Sequence, residues 1–134
     1  MKPELIYLDS SAIVKLIVLE QETSALLSFL ADHPERASSV LARVEVLRAL
    51  RRAGASASER RRAVDVLARI ALLHVDDDIL ESAAELESAD LRSLDAIHVA
   101  TALSIQSELT GVVTYHERFS SAAKRAGLSV FAPR

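Results

Sequence analysis

The sequence predicts an α/β fold: a central parallel sheet of about four to five strands, covered by helices on both faces in three layers. Three observations carry this. Short apolar runs such as "LIYL" (5–8) and "GVV" (111–113) lack polar alternation, as strands buried on both faces do. Between such runs the apolar residues recur at helical spacing, and strands that alternate with helices need crossover connections and so pair in parallel. Finally, the 134 residues contain no repeat, no low-complexity stretch and no linker, so residues 1–134 are expected to form a single domain.

Each element follows in order. The first strand covers about residues 4–8, and a short helix starts at Ser10 or Ser11, either of which can cap it. "ETSALLSFLADH" (22–33) reads as a second helix, stopped by Pro34. "RASSV" (36–40) is a weak strand. "LARVEVLRALRRAG" is a clear amphipathic helix with Gly54 past its end. "SASERRRAVDVLARIALL" (56–73) predicts another, opened by Ser56 with Glu59 three residues on. "LHV" (73–75) is a short strand, "DDDILESAAELES" (76–88) an acidic-started helix and "SLDAIHVATALSIQSEL" (93–109) a long helix. "GVVT" (111–114) follows as a strand, then a helix ending at Gly127, then a last short strand, "SVF".

Composition excludes several chemistries. The absence of cysteine removes disulfides, thiolate metal sites and cysteine nucleophiles. No apolar run approaches the ~18 residues of a membrane span, and the run after Met1–Glu4 is too short for a signal peptide, so the chain is expected in the cytoplasm and off the membrane. The net charge of −3 gives no general attraction to nucleic acid, but the charge is unevenly placed. Arg43, Arg48, Arg51, Arg52, Arg60, Arg61 and Arg62 fall within twenty residues, and an acidic stretch from Asp76 to Asp90 follows. The arginines read either as solvated helix faces with i,i+4 pairing or as a basic face for a polyanion.

Three carboxylates stand where a charge needs a partner. Asp9 ends the first buried run, and desolvating it is costly without a cation, hydrogen bonds or a helix end. Glu45 lies inside "LARVEVLRAL", where Arg48 or Arg52 on the same stripe offers a salt bridge. Asp95 opens a helix that is apolar nearly all round, the pattern of a buried helix. His98 reads as a hydrogen-bonded core histidine more readily than as a metal ligand. In an open parallel sheet, ligands bind beyond the carboxyl ends of the strands at the switch in strand order, where Asp9 and Thr114 both belong.

The order and contexts of these acids resemble the PIN domain, the fold of many metal-dependent ribonucleases, and most of all the toxins of VapBC-type toxin–antitoxin pairs. "IYLDSSAIVKL" is similar to the family's opening strand, acid and helix; "ARVEVLRAL", "LRSLDAIHVATAL" and "VVTYHERFSSAAKRAGLSV" are similar to its later segments. The resemblance spans essentially the whole chain. It implies a PIN-like three-layer α/β/α domain and an endoribonuclease that hydrolyses RNA and arrests translation and growth. Asp9, Glu45 and Asp95 would hold Mg²⁺ or Mn²⁺, ions that suit hard oxygen donors. It also implies Ser11 and Thr114 in supporting or phosphate-contacting roles, an antitoxin partner, a homodimer, and a heterotetramer or larger assembly with the antitoxin. Arg43, Arg48, Arg51 and Arg52 would then meet RNA or antitoxin.

One position departs from the family pattern. The usual further acid two residues after the threonine is His116 here, with Glu117 beside it. His116 would ligate a metal itself, favouring Mn²⁺; or Glu117 would reach the site; or one metal would sit on three carboxylates with His116 orienting water or phosphate, the arrangement preferred. The alternative is a weakened PIN-like module that binds RNA or a partner without cutting. Other enzymes fall on residue types: haloacid-dehalogenase-type phosphatases need an aspartate where Ser11 stands, receivers need an early acidic pair, and no Gly-x-Ser-x-Gly elbow or phosphate-cradling glycine loop exists.

Overall fold

The computed structural model describes residues 3–134. In chain order the elements are β1 (Leu5–Leu8), α1 (Ser10–Ile17), α2 (Thr23–Ala31), β2 (Arg36–Ser39), α3 (Leu41–Arg52), α4 (Ala57–Ala68), β3 (Ala71–Leu73), α5 (Asp77–Ala84), α6 (Ser93–Ser104), a 3₁₀ turn (Gln106–Glu108), β4 (Leu109–Val113), α7 (Glu117–Arg125) and β5 (Val130–Phe131). All strand pairs are parallel and the order is β3-β2-β1-β4-β5. The chain therefore winds outward from β1 on one side and returns to β4 on the other. The switch in strand order lies between β1 and β4.

The central strand is buried on both faces, as its unbroken apolar run requires. Ile6, Tyr7 and Leu8 are fully buried. Side chains alternate across a strand: Ile6 and Leu8 pack with Ala12, Ile13 and Ile17 of α1 and Ala42, Val46 and Leu50 of α3. Tyr7 packs on the opposite face with Val99 and Ala102 of α6 and Phe119 of α7. Two helical layers thus enclose one sheet.

Several boundaries differ from the sequence reading. The fourth helix ends at Ala68, and "ALL" (71–73), not "LHV", forms β3, because its residues pair with Ala37, Ser38 and Ser39 of β2. The acidic helix is shorter, stopping at Ala84. The long helix stops at Ser104, and β4 already starts at Leu109 where β1 draws it into register. Gly54 and Gly127 do follow helix ends at positive φ, 66° and 93°. The box at Ser56 and Glu59 is formed in both directions.

Candidate active site

The first helix is capped by Asp9 itself, not by Ser10 or Ser11. Asp9 has extended backbone angles and its Oδ1 accepts the Ala12 N–H at 3.0 Å, so the carboxylate lies against the positive end of α1. The Ser11 hydroxyl donates to the same oxygen at 2.6 Å. On the other side the Thr114 hydroxyl donates to Oδ2. Thr114 directly follows β4, so this bond bridges the switch point, alongside the backbone bond from Asp9 N to Val113 O. A carboxylate only 3 % exposed is thereby compensated by a helix end and three donors.

The neighbouring backbone closes around this centre. Tyr115 N donates to Ser11 Oγ at 3.2 Å and His116 N to Thr114 Oγ1 at 3.1 Å. Tyr115 lies under the Lys15 ammonium, 4.8 Å from its ring centre, and its hydroxyl donates to Pro133 O. Burial raises the Tyr115 phenol to about 12. Tyr115 thus packs the chain after β4 onto α1.

Glu45 does not pair with Arg48 or Arg52. Its Oε1 instead lies 2.6 Å from Nε2 of His98 on α6, and His98 Nδ1 lies 2.6 Å from the Tyr7 hydroxyl. Helix α3 packs on one face of the sheet and α6 on the other, so the Glu45–His98 bond crosses the strand ends. His98 is the hydrogen-bonded core histidine that the sequence favoured, 1 % exposed.

Asp95 stands in the first turn of α6, half-buried. Burial raises its carboxyl above the ordinary range and the charges of Asp9 and Glu45 add to this, while the nearby imidazoles of His116 and His98 oppose it. These five groups therefore share one electrostatic environment. His116 is exposed at the start of α7. Glu117 faces elsewhere: it lines a shallow cleft of about 190 Å³ with Asp90, Arg118 and Arg125, a cleft that none of the three carboxylates lines.

Arg43, Arg48, Arg51 and Arg52 are all exposed on α3, next to the exposed apolar side chains of Val44 and Leu47. Among the described residues none of these four arginines makes an ion pair. Two other arginines of the cluster serve the fold: Arg62 donates to Ile17 O and Arg60 to Ala55 O. Sequence reasoning missed Tyr7. Its one pointer, a place two residues before Asp9 on the same strand face, does not separate it from a core tyrosine.

The donor set has the chemistry for a hard divalent cation: carboxylate oxygens, with an imidazole at the margin. Asp9 keeps a lone pair on Oδ2, and Glu45 keeps Oε2. Among the described residues no three such side chains stand close enough to enclose an ion. The acids converge on one region without forming a closed cage. No helix among the described residues is long and apolar enough to cross a membrane.

Comparison with known proteins agrees with this geometry. The family model described as "PIN domain" matches residues 6–125. The chain is 48 % identical over 128 residues to "Ribonuclease VapC46" of Mycobacterium tuberculosis, covering 96 % of this chain and 97 % of the relative. Among solved structures, that of Mycobacterium tuberculosis VapC20, described as a "Sarcin-Ricin loop cleaving toxin", superposes with a TM-score of 0.73 at 18 % identity over 96 % of this chain and 99 % of that one. A "Toxin-antitoxin complex from Klebsiella pneumoniae" gives 0.69 at 22 % identity, over 96 % and 98 % of the two chains. With the family model spanning most of its length and a relative nearly half identical, the chain belongs to the PIN-domain family.

Proposed function

We propose that this chain is a divalent-metal-dependent endoribonuclease, the toxin of a toxin–antitoxin pair, which hydrolyses RNA phosphodiester bonds and so inhibits translation and growth. The observation that carries the reading is Asp9: a buried carboxylate held at the switch point between β1 and β4, in one electrostatic environment with Glu45 and Asp95. The identity to "Ribonuclease VapC46" supports the substrate class, and the neighbouring toxin–antitoxin complex supports an antitoxin partner. Residues 1–134 work as one domain in the cytoplasm, as a homodimer that the antitoxin joins into a heterotetramer or larger assembly.

Asp9, Glu45 and Asp95 are the residues that would hold Mg²⁺ or Mn²⁺. When bound, the ion polarises a phosphate oxygen and lowers the pKa of water. The protein supplies the rest. Ser11 and Thr114 each donate to one oxygen of Asp9, which fixes the carboxylate and leaves Oδ2 a lone pair for a further partner. The N-termini of α1, α6 and α7 offset the negative charge of the acids. His116, exposed at the rim, orients water or a phosphate oxygen. Arg43, Arg48, Arg51 and Arg52 offer donors to the RNA backbone or to acidic groups of the antitoxin.

The test is cleavage of a structured RNA by purified protein with Mg²⁺, Mn²⁺ or chelator, beside Asp9→Asn and His116→Asp. Metal-dependent cutting that Asp9→Asn loses is the expected result; cutting that persists in chelator or in Asp9→Asn refutes the assignment. One observation favours a second reading, a weakened module that binds RNA or a partner without cutting: an exposed His116 stands where the family resemblance implies a further acid. Activity gained only in His116→Asp would support it.

A further inference from the structure

Tyr7, His98 and Glu45 form a continuous hydrogen-bonded chain from the interior of the sheet to the candidate site, drawn from residues 7, 98 and 45. Its directions are determined by its ends. A carboxylate has no proton to give, so Nε2 of His98 is the donor to Glu45, and in a neutral imidazole Nδ1 then accepts. The donor to Nδ1 is the Tyr7 hydroxyl, fully buried and 2.6 Å away, which has a proton to give where Nδ1 has none. The chain therefore runs Tyr7 O–H to His98, His98 N–H to Glu45.

The inner members cannot turn. Tyr7 is fully buried and His98 1 % exposed. The imidazole is held edge-on between the Tyr7 ring, 5.8 Å away at 76°, and the Phe119 ring, 6.2 Å away at 61°. The outer member would otherwise be loose: the Glu45 side chain is 20 % exposed, and Arg48 stands three residues on, at a spacing that offers another partner. A glutamate in that setting samples several rotamers, and ordering it costs conformational entropy.

We infer that Tyr7 and His98 are positioning residues for Glu45, holding Oε1 so that Oε2 is presented to a divalent cation. This rests on the reading of Glu45 as a metal-holding residue. His98 does for Glu45 what Ser11 and Thr114 do for Asp9, and hydrogen bonds of this kind orient ligands and tune their basicity. Because α3 and α6 lie on opposite faces of the sheet, the bond also sets the distance between Glu45 and Asp95, three residues from His98 on α6.

The experiment is calorimetric titration of Mn²⁺ into metal-free protein, wild type and four variants, with thermal unfolding as a check on folding. Glu45→Gln tests the parent reading: unchanged Mn²⁺ affinity would sink that reading and this proposal with it. With Glu45→Gln weakened, His98→Leu should lose about 10–100-fold in affinity, the usual cost of removing a ligand's supporting partner. His98→Gln, whose amide N–H can replace Nε2–H, should recover most of it. Tyr7→Phe removes a single hydroxyl and should lose several-fold at an unchanged far-ultraviolet spectrum. Wild-type affinity in both His98→Leu and Tyr7→Phe overturns the proposal while leaving the parent reading intact. If His98→Leu does not fold, equal affinity in Tyr7→Phe and wild type overturns it alone.

Discussion

Removing the Asp9 carboxylate in two different ways separates its structural work from its chemistry. Asp9→Ala deletes the cap of α1, worth about 0.5–2 kcal/mol. It also strands the buried Thr114 hydroxyl, whose acceptor is Asp9 Oδ2, at about 1–3 kcal/mol. Relief from burying a charge offsets part of this, so a net loss of about 1–4 kcal/mol is expected. Asp9→Asn differs, because asparagine caps helices as well as aspartate. Its amide would face Thr114 Oγ1, which already accepts from His116 N and has a second lone pair for another donor. The Thr114 proton still loses its acceptor, but the new bond from the amide to Oγ1 offsets part of that cost and leaves about 1 kcal/mol. Urea unfolding of metal-free protein reads both values from the midpoints if the slopes agree. Both variants should lose RNA cleavage, yet only Asp9→Ala should be markedly less stable. Equal stabilities for the two variants, or Asp9→Ala within about 0.5 kcal/mol of wild type, would refute the assignment of Asp9 as cap and anchor.

Three further outcomes follow from the geometry. Asp95 has its pKa raised by burial above the ordinary 3.8, so the folded state holds the proton more tightly and stability falls as pH rises from that value through the raised one; metal-free Asp95→Asn should therefore gain over wild type at pH 7 but not below 3.8, and a gain that does not change with pH would contradict this. If Arg48 and Arg51 meet RNA phosphates, replacing both by alanine should flatten the plot of log affinity against log salt by about 1.4, at about 0.7 for each single-strand contact; an unchanged slope in a binding assay assigns them elsewhere. In β4, a Cβ on Gly111 would lie 2.6 Å from Phe131 Cε2 and 2.7 Å from Ser129 O. Gly111→Ala should cost about 1–3 kcal/mol in urea unfolding by prising β5 from the sheet, and a cost below about 0.5 kcal/mol would show that this edge yields.

What could be read from the residues was local. The unbroken run before Asp9, the box at Ser56 and Glu59 and the glycines after two helices are short-range signals, and each element appeared. The errors lie where a distant partner decided. "ARIALL" continues a helical pattern, but Ala71–Leu73 pair with β2 and become a strand. The serines after Asp9 are good caps in isolation, yet Asp9 itself sits with its carboxylate over the helix end. Glu45 has arginines at helical spacing and bonds to a histidine 53 residues away instead. The three acids were legible because each interrupts an apolar context; Tyr7 was not, because a buried tyrosine in a strand looks like core until its hydroxyl finds His98.

The bond between Thr114 and Asp9 joins residues 105 positions apart. A ribosome that has made the first acid must therefore make 105 further residues, and release β4 from its exit tunnel, before the second oxygen of that acid is anchored. Chains cut short by a stalled ribosome or a broken message carry Asp9 and Glu45 but no assembled centre. For an enzyme whose proposed substrate is RNA, this order of synthesis keeps unfinished copies harmless to the machinery still making them. It also confines the hazard to finished protein, the form in which a partner can bind and restrain it.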